Sequence, residues 1–146
     1  VVAYLVGQVP GSPDLPATLL GDPPLVCYAR PGTYQPACII AVGTKITQQA
    51  QPYQMVGSGG AGWLYERYRL EVLISTFQGG EDPQAVQEAG WTCWQAVAGV
   101  VRADPSLGGR VVQAFPASYE MTTEWDPDHK GFVADMTCEI EVEAGL

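Results

Sequence analysis

Positive charge is scarce in this chain of 146 residues: seven Lys and Arg stand against sixteen Asp and Glu, for a formal charge of -9. Gripping nucleic acid needs clustered cations that release counterions from phosphates, so a chain this acidic is a poor candidate for it. Adhesion to an anionic membrane surface fails for the same reason. A surface that repels DNA and lets it pass remains compatible with the charge. Long hydrophobic runs are also missing, since the longest clean apolar stretch, residues 37–42, is far below the roughly 20 residues of a membrane helix. No basic segment opens the chain, so no secretory signal is visible, and the missing initiator Met suggests that the sequence begins inside its gene product. Cys27, Cys38, Cys93 and Cys138 form no C-x-x-C pair. Set among apolar neighbours, they read as buried free thiols of a reducing compartment rather than as disulfides or a zinc site.

What is present is the material of one folded domain: 47% apolar and 16% charged residues, in a length suited to a single core spanning 1–146. The apolar residues 1–9, ended by Pro10-Gly11, read as the tail of a helix, and the five prolines of 10–24 form an irregular connector. Residues 25–29 and 37–42 are strand-like, and the unbroken apolarity of the second run suggests burial on both faces. The Gly-, Gln- and Ser-rich stretch 43–62 shows no period and is expected to be a flexible insertion.

The second half is more regular. In 63–77, Tyr68, Leu70, Val72, Ile74 and Thr76 alternate with Arg67, Arg69, Glu71, Leu73 and Ser75, as in a long strand. Asp82-Pro83 supplies an N-cap and a proline at the first helical position, opening a helix that runs to about 103 and stops at Asp104-Pro105. Its polar arc is narrow, and its apolar arc spreads past Val86, Cys93 and Val97 to Trp91, Trp94 and Ala98. One sheet needs a narrower stripe, so the N-terminal helix or a neighbouring subunit must cover the excess. Trp91, Trp94 and Ala98 are the candidate interface residues. Residues 110–125 read as a strand interrupted at Pro116, the Asp/Pro/Gly content of 126–131 as a hairpin loop, and the strictly alternating remainder as the last strand. The fold class is therefore α+β: a mainly antiparallel sheet, with the long helix of about 82–103 and the N-terminal helix packed on one face.

Motifs for catalysis or ligands do not survive their contexts. Gly57-Ser58-Gly59-Gly60-Ala61-Gly62 has the letters of a dinucleotide fingerprint, but a Gln-rich stretch precedes it and β-like residues follow, so it reads as a loop tip. Residues 126–131 resemble a calcium loop only faintly, because Lys130 stands at a ligand position and Thr137 where the bidentate Glu belongs. His129 is the one histidine and has no nucleophile beside it in sequence. The carboxylates Asp135, Glu139, Glu141 and Glu143 share one face of the last strand and read as solvated or, if the strands are neighbours, as partners of Arg67 and Arg69. No enzymatic activity, cofactor or metal is expected.

The succession Tyr68-Arg69-Leu70-Glu71-Val72-Leu73-Ile74, Gly79-Gly80, a long helix, Asp104-Pro105-Ser106-Leu107-Gly108-Gly109-Arg110-Val111, an Asp/Gly hairpin and an acidic alternating strand resembles the tail-terminator and neck proteins of long-tailed bacteriophages, of the lambda type. The likeness covers about residues 63–146. It implies a sheet flanked by helices and a hexameric ring at the head-proximal end of the tail. That ring would contact tail tube protein below and the head–tail connector or stopper above, in the virion after assembly in the host cytoplasm, with DNA passing through unbound. On that footing Asp135, Glu139, Glu141 and Glu143 are candidates for a DNA-channel face, and Gln51, Tyr53, Gln54 and Met55, apolar or aromatic anchors among polar residues, for a partner-docking loop. Another neck or tail ring component, such as a connector stopper or tube subunit, would share these features. A small-ligand-binding module or enzyme is the alternative outside that class.

Overall fold

In the computed structural model, which describes residues 1–29, 36–48, 53–55 and 63–145, the alternating C-terminal segment becomes the strand around which the sheet is organised. This strand, β6 (Gly131–Gly145), pairs antiparallel with β4 (Trp63–Gly79), from Tyr65 opposite Gly145 to Gly79 opposite Gly131. On its other side β6 pairs with β5 (Gln113–Asp126) through the hairpin at 126–131. On the far side of β4 lie β2 (Cys38–Gln48), antiparallel, and then β1 (Leu25–Tyr28), parallel to β2. The strand order is β1-β2-β4-β6-β5, and β3 (Tyr53–Met55) pairs with the start of β4 beyond the end of β2. The helices are α1 (Val2–Gln8), continued by a 3-10 turn at Val9–Gly11, and α2 (Pro83–Ala103). The expected α+β class, with a mostly antiparallel sheet, is what the chain adopts.

One sheet face meets the helices. Ile40, Val42, Leu70, Val72, Ile74, Met136, Cys138, Ile140 and Val142 are buried in one cluster with Ala89, Cys93, Val97 and Val101 of α2. Each such aliphatic side chain contributes about 1.5–3 kcal/mol relative to exposure. Asp82 caps α2 by accepting the Ala85 N–H at 3.2 Å. The buried Thr76 hydroxyl donates to the Val86 carbonyl at 2.8 Å, tying β4 to the first turn of α2.

Of the two covers expected for the broad apolar arc of α2, the chain's own N-terminal helix is one that it uses: Leu5 of α1, Val9, Leu107 and Val111 join the cluster that holds Trp94 and Ala98. Two expectations are corrected. With 4% and 0% of their surface exposed, Trp94 and Ala98 have nothing to offer a neighbouring subunit. Trp91, at 42%, does. In the stretch 43–62, residues 43–48 are not insertion but the second half of β2, and 53–55 form β3. The period was hidden by a bulge, since the β2–β4 register shifts between Val42 and Ile46 at Gly43, whose φ of +80° suits glycine. Residues 49–52 and 56–62, including Gln51 and the Gly57–Gly62 motif, lie outside the described residues.

The Asp104–Gly109 motif is a turn held by one carboxylate. Asp104 accepts the Ser106 hydroxyl at 2.6 Å, the Gly108 N–H at 2.8 Å, the Ser106 N–H at 3.2 Å and the Tyr4 hydroxyl at 3.4 Å. Leu107, Gly108 and Gly109 then run through φ of 50°, 71° and 78°, a left-handed turn that glycine tolerates and that swings Leu107 into the core. Arg110 lies over the Tyr4 ring, 5.1 Å from its centroid, so the turn also pins α1.

Two pH dependences follow. The Ser106 hydroxyl, then the Gly108 N–H, hold the Asp104 carboxyl below its ordinary range. Its stabilisation is present above the ordinary carboxylate pKa of about 3.9 and is lost as pH falls through the lower folded value. Thermal melts of wild type and Asp104→Ala should differ most near neutrality and converge towards pH 3. Burial pushes the Cys138 thiol up to about 12. Its contribution is constant below the ordinary thiol pKa of about 8.5 and falls by up to about 1.4 kcal/mol per pH unit above it, until the folded value is reached. Denaturant titrations between pH 8 and 11 should therefore show a shallower alkaline decline for Cys138→Ala than for wild type.

Candidate functional site

The sheet face turned away from the helices carries the charges. Register places Arg67 opposite Glu143, Arg69 opposite Glu141 and Glu71 opposite Glu139 on β4 and β6. Arg69 reaches diagonally to Glu139, with Nη1 2.7 Å from Oε2, while its Nη2 stands 3.9 Å from Glu141. Arg67 Nε is 3.9 Å from Glu143, which also accepts from Gln113 Nε2 at 3.5 Å. Glu71, facing Glu139 across the ladder, accepts the Thr44 hydroxyl at 2.8 Å. Lys45 and Thr47 join Arg69, Glu71 and Glu139 around a depression of about 180 Å³. These pairs are partly exposed, and each contributes on the order of 0–1 kcal/mol.

Of the four proposed channel carboxylates, Glu139, Glu141 and Glu143 thus lie beside Arg67 or Arg69. Asp135 is exposed, between Ser75 and Thr122, and makes no hydrogen bond or ion pair among the described residues. The column is real as a row on one strand face, but it is partly neutralised, with two guanidinium groups beside three of its four carboxylates. Tyr53, Gln54 and Met55 pair through their backbones with Tyr65, Leu64 and Trp63. They therefore belong to a strand and not to a loop.

At the hairpin end of the same face, Asp126 accepts the Asp128 and His129 N–H groups at 3.0 and 3.3 Å and lies 2.7 Å from His129 Nδ1. The His129 hydrogen bond holds the Asp126 carboxyl below its ordinary range. The carboxylate is spent on its own turn, which is the hairpin reading of 126–131. Asp22, Pro36, Ser75, Phe77, Asp126 and His129 line a cavity of about 420 Å³. Among the described residues no hydrogen bond joins Ser75 to His129, whose Nδ1 is directed at Asp126. Nor does any group of three or more His, Cys, Asp or Glu there form a metal site.

Sequence reasoning missed a third feature. Trp91 packs edge-to-face on Tyr119, ring centroids 5.2 Å apart, and with Gln87, Glu88, Thr92 and Met121 the pair forms an open groove between α2 and β5. Further along β5, Trp125 packs on Phe132 in the same manner at 5.2 Å. Val112, Phe115, Tyr119 and Trp125 are each 44–53% exposed on or beside this terminal strand. Aromatics spaced along residues 110–125 were the available signal, but a sequence does not say which strand is last in the sheet.

No family model matches the chain, and no curated protein matches it in sequence. Among solved structures, the fold is similar to a chain from "Virion of native gene transfer agent (GTA) particle", at 15% identity and a TM-score of 0.48, covering 99% of this chain and 95% of that one.

Proposed function

We propose that the chain is a virion structural protein, without catalytic turnover, that forms a ring at the head-proximal end of a phage-type tail, ending the tail tube and joining it to the neck. The sequence resemblance over 63–146 supports this reading, and each residue group quoted for it has a structural task. Gly79-Gly80 ends β4, Asp104–Gly109 turns α2 into β5, and the hairpin aligns β5 with β6. The observation that carries the proposal is the exposed apolar residues gathered at the β5 edge. Tyr119 and Trp125 on its helix side, Trp91 of the adjoining α2, Phe115 on its open side and Val112 just before it are 42–53% exposed, and contact with further copies would remove them from water. The ring is hexameric in this reading, with tail tube protein on one side and connector or stopper on the other. Its bore carries Asp135 with the partly neutralised Glu139, Glu141 and Glu143, and DNA slides past without specific binding.

Negative-stain images of the purified protein should show rings; a monomeric mass at every concentration overturns the proposal. Trp91→Ala removes an edge-to-face pair and should lower the stability of the single chain by only about 1 kcal/mol while weakening assembly, as followed by sedimentation velocity. Asp135→Lys should convert the bore into a DNA-retaining one. Rings of this variant should hold duplex DNA in gel-shift assays at about 50 mM salt and release it by about 200 mM, whereas wild type holds none at either. Equal behaviour of the two removes the channel from the proposal.

A further inference from the structure

Among the described residues no further strand pairs with either lateral edge of the sheet, and the two edges differ. One is β5, outermost beyond β6. The other is β1, and beyond the end of β1 the stretch 43–48 of β2, which pairs with β4 but with no strand on its outer side among the described residues. Among the described residues, the exposed large apolar side chains fall only at these two ends: Trp91, Val112, Phe115, Tyr119 and Trp125 at the first, Tyr28 and Ile46, 58% and 59% exposed, at the second. An unpaired edge flanked by apolar side chains is a template for another strand.

We infer that neighbouring copies join head to tail, the β5 edge of one against the β1–β2 edge of the next, so that the sheet continues from copy to copy. This rests on the ring reading above and names its junction. The residues match face by face. Tyr119 and Trp125 lie opposite Cys138 and Phe132, on the helix side, as do Tyr28 opposite Val42 and Ile46 opposite Leu70. On the open side, β5 presents Phe115, opposite Glu141, with the exposed Glu120 and Glu124, and the β2 edge presents the exposed Lys45 beside Arg69 and Thr47. A continuous sheet keeps each side in line, bringing Tyr119 and Trp125 to the side of Tyr28 and Ile46, and Glu120 and Glu124 to the side of Lys45. Pairing β5 with β5 about a two-fold axis would instead bring Glu120 and Glu124 of two copies together, which like charge opposes. Contacts between unlike patches are heterologous, and such contacts close into rings when the rotation permits.

The test uses the full chain, with Tyr119→Glu blocking one edge and Ile46→Glu the other, read by native mass spectrometry. Each variant alone should be monomeric under conditions where wild type is a ring. Mixed in equal amounts they should give a heterodimer and nothing larger, because the intact β1–β2 edge of the first accepts the intact β5 edge of the second. Recovery of the dimer also shows that both variants are folded; Tyr28→Glu replaces Ile46→Glu if the latter melts below wild type. Rings from the Ile46 variant, or a mixture that stays monomeric while both partners melt like wild type, overturn this junction and leave the ring reading standing. A wild type that is itself monomeric overturns both.

Discussion

The register between β4 and β6 is the constraint on which everything else rests. It runs without a break from Tyr65 opposite Gly145 to Gly79 opposite Gly131. Because side chains alternate faces, a slip of one residue in β6 would turn Met136, Cys138 and Ile140 to water and drive Glu139 and Glu141 beneath α2. Burying even one unpaired carboxylate costs several kcal/mol, so the alternative pairing is closed. The irregularities lie elsewhere: β2 bulges between Val42 and Ile46, and β5 between Pro116 and Ser118. An inner pair in unbroken register thus carries bulged strands on either side, and the exposed apolar side chains gather at the two ends of the sheet.

Much of the fold was legible because period and punctuation agree with tertiary demands. Strict alternation marked β6, Asp82-Pro83 marked the start of α2, and the Asp/Pro/Gly cluster marked the hairpin. The second half of β2 was not legible, since a bulge at Gly43 resets the alternation and reads as noise. Nor was the cover of Trp94 and Ala98, because the placement of a helix as short as α1 depends on long-range packing. The site was half legible. Opposite charges on two strands could be written down from their spacing, but Arg69 chose Glu139 diagonally over the directly facing Glu141. The edge position of β5 depends on strand order, which local pattern does not encode.

A formal charge of -9 per copy opposes any gathering of copies. The fold moderates this locally by setting three basic side chains, Lys45, Arg67 and Arg69, into the most acidic face. Beyond a Debye length of about 8 Å at physiological salt, the remaining repulsion is screened. Short-range burial of apolar edge residues therefore decides association, and the charge sets which edges are permitted to meet.

The order of connections also makes the two pairings of β6 unequal in contact range. β5 and β6 are joined by a tight hairpin, so their pairing is local and closes early, on the microsecond scale of hairpins. β4 and β6 are separated in the chain by α2, the Asp104 turn and β5, and pairing over that range is intrinsically slower than hairpin closure. Until β4 docks, the hairpin has a second bare edge, that of β6, and an apolar face meant for the core. The strand that gives the native sheet its register is thus the one whose late arrival leaves the nascent chain most open to pairing with the wrong partner.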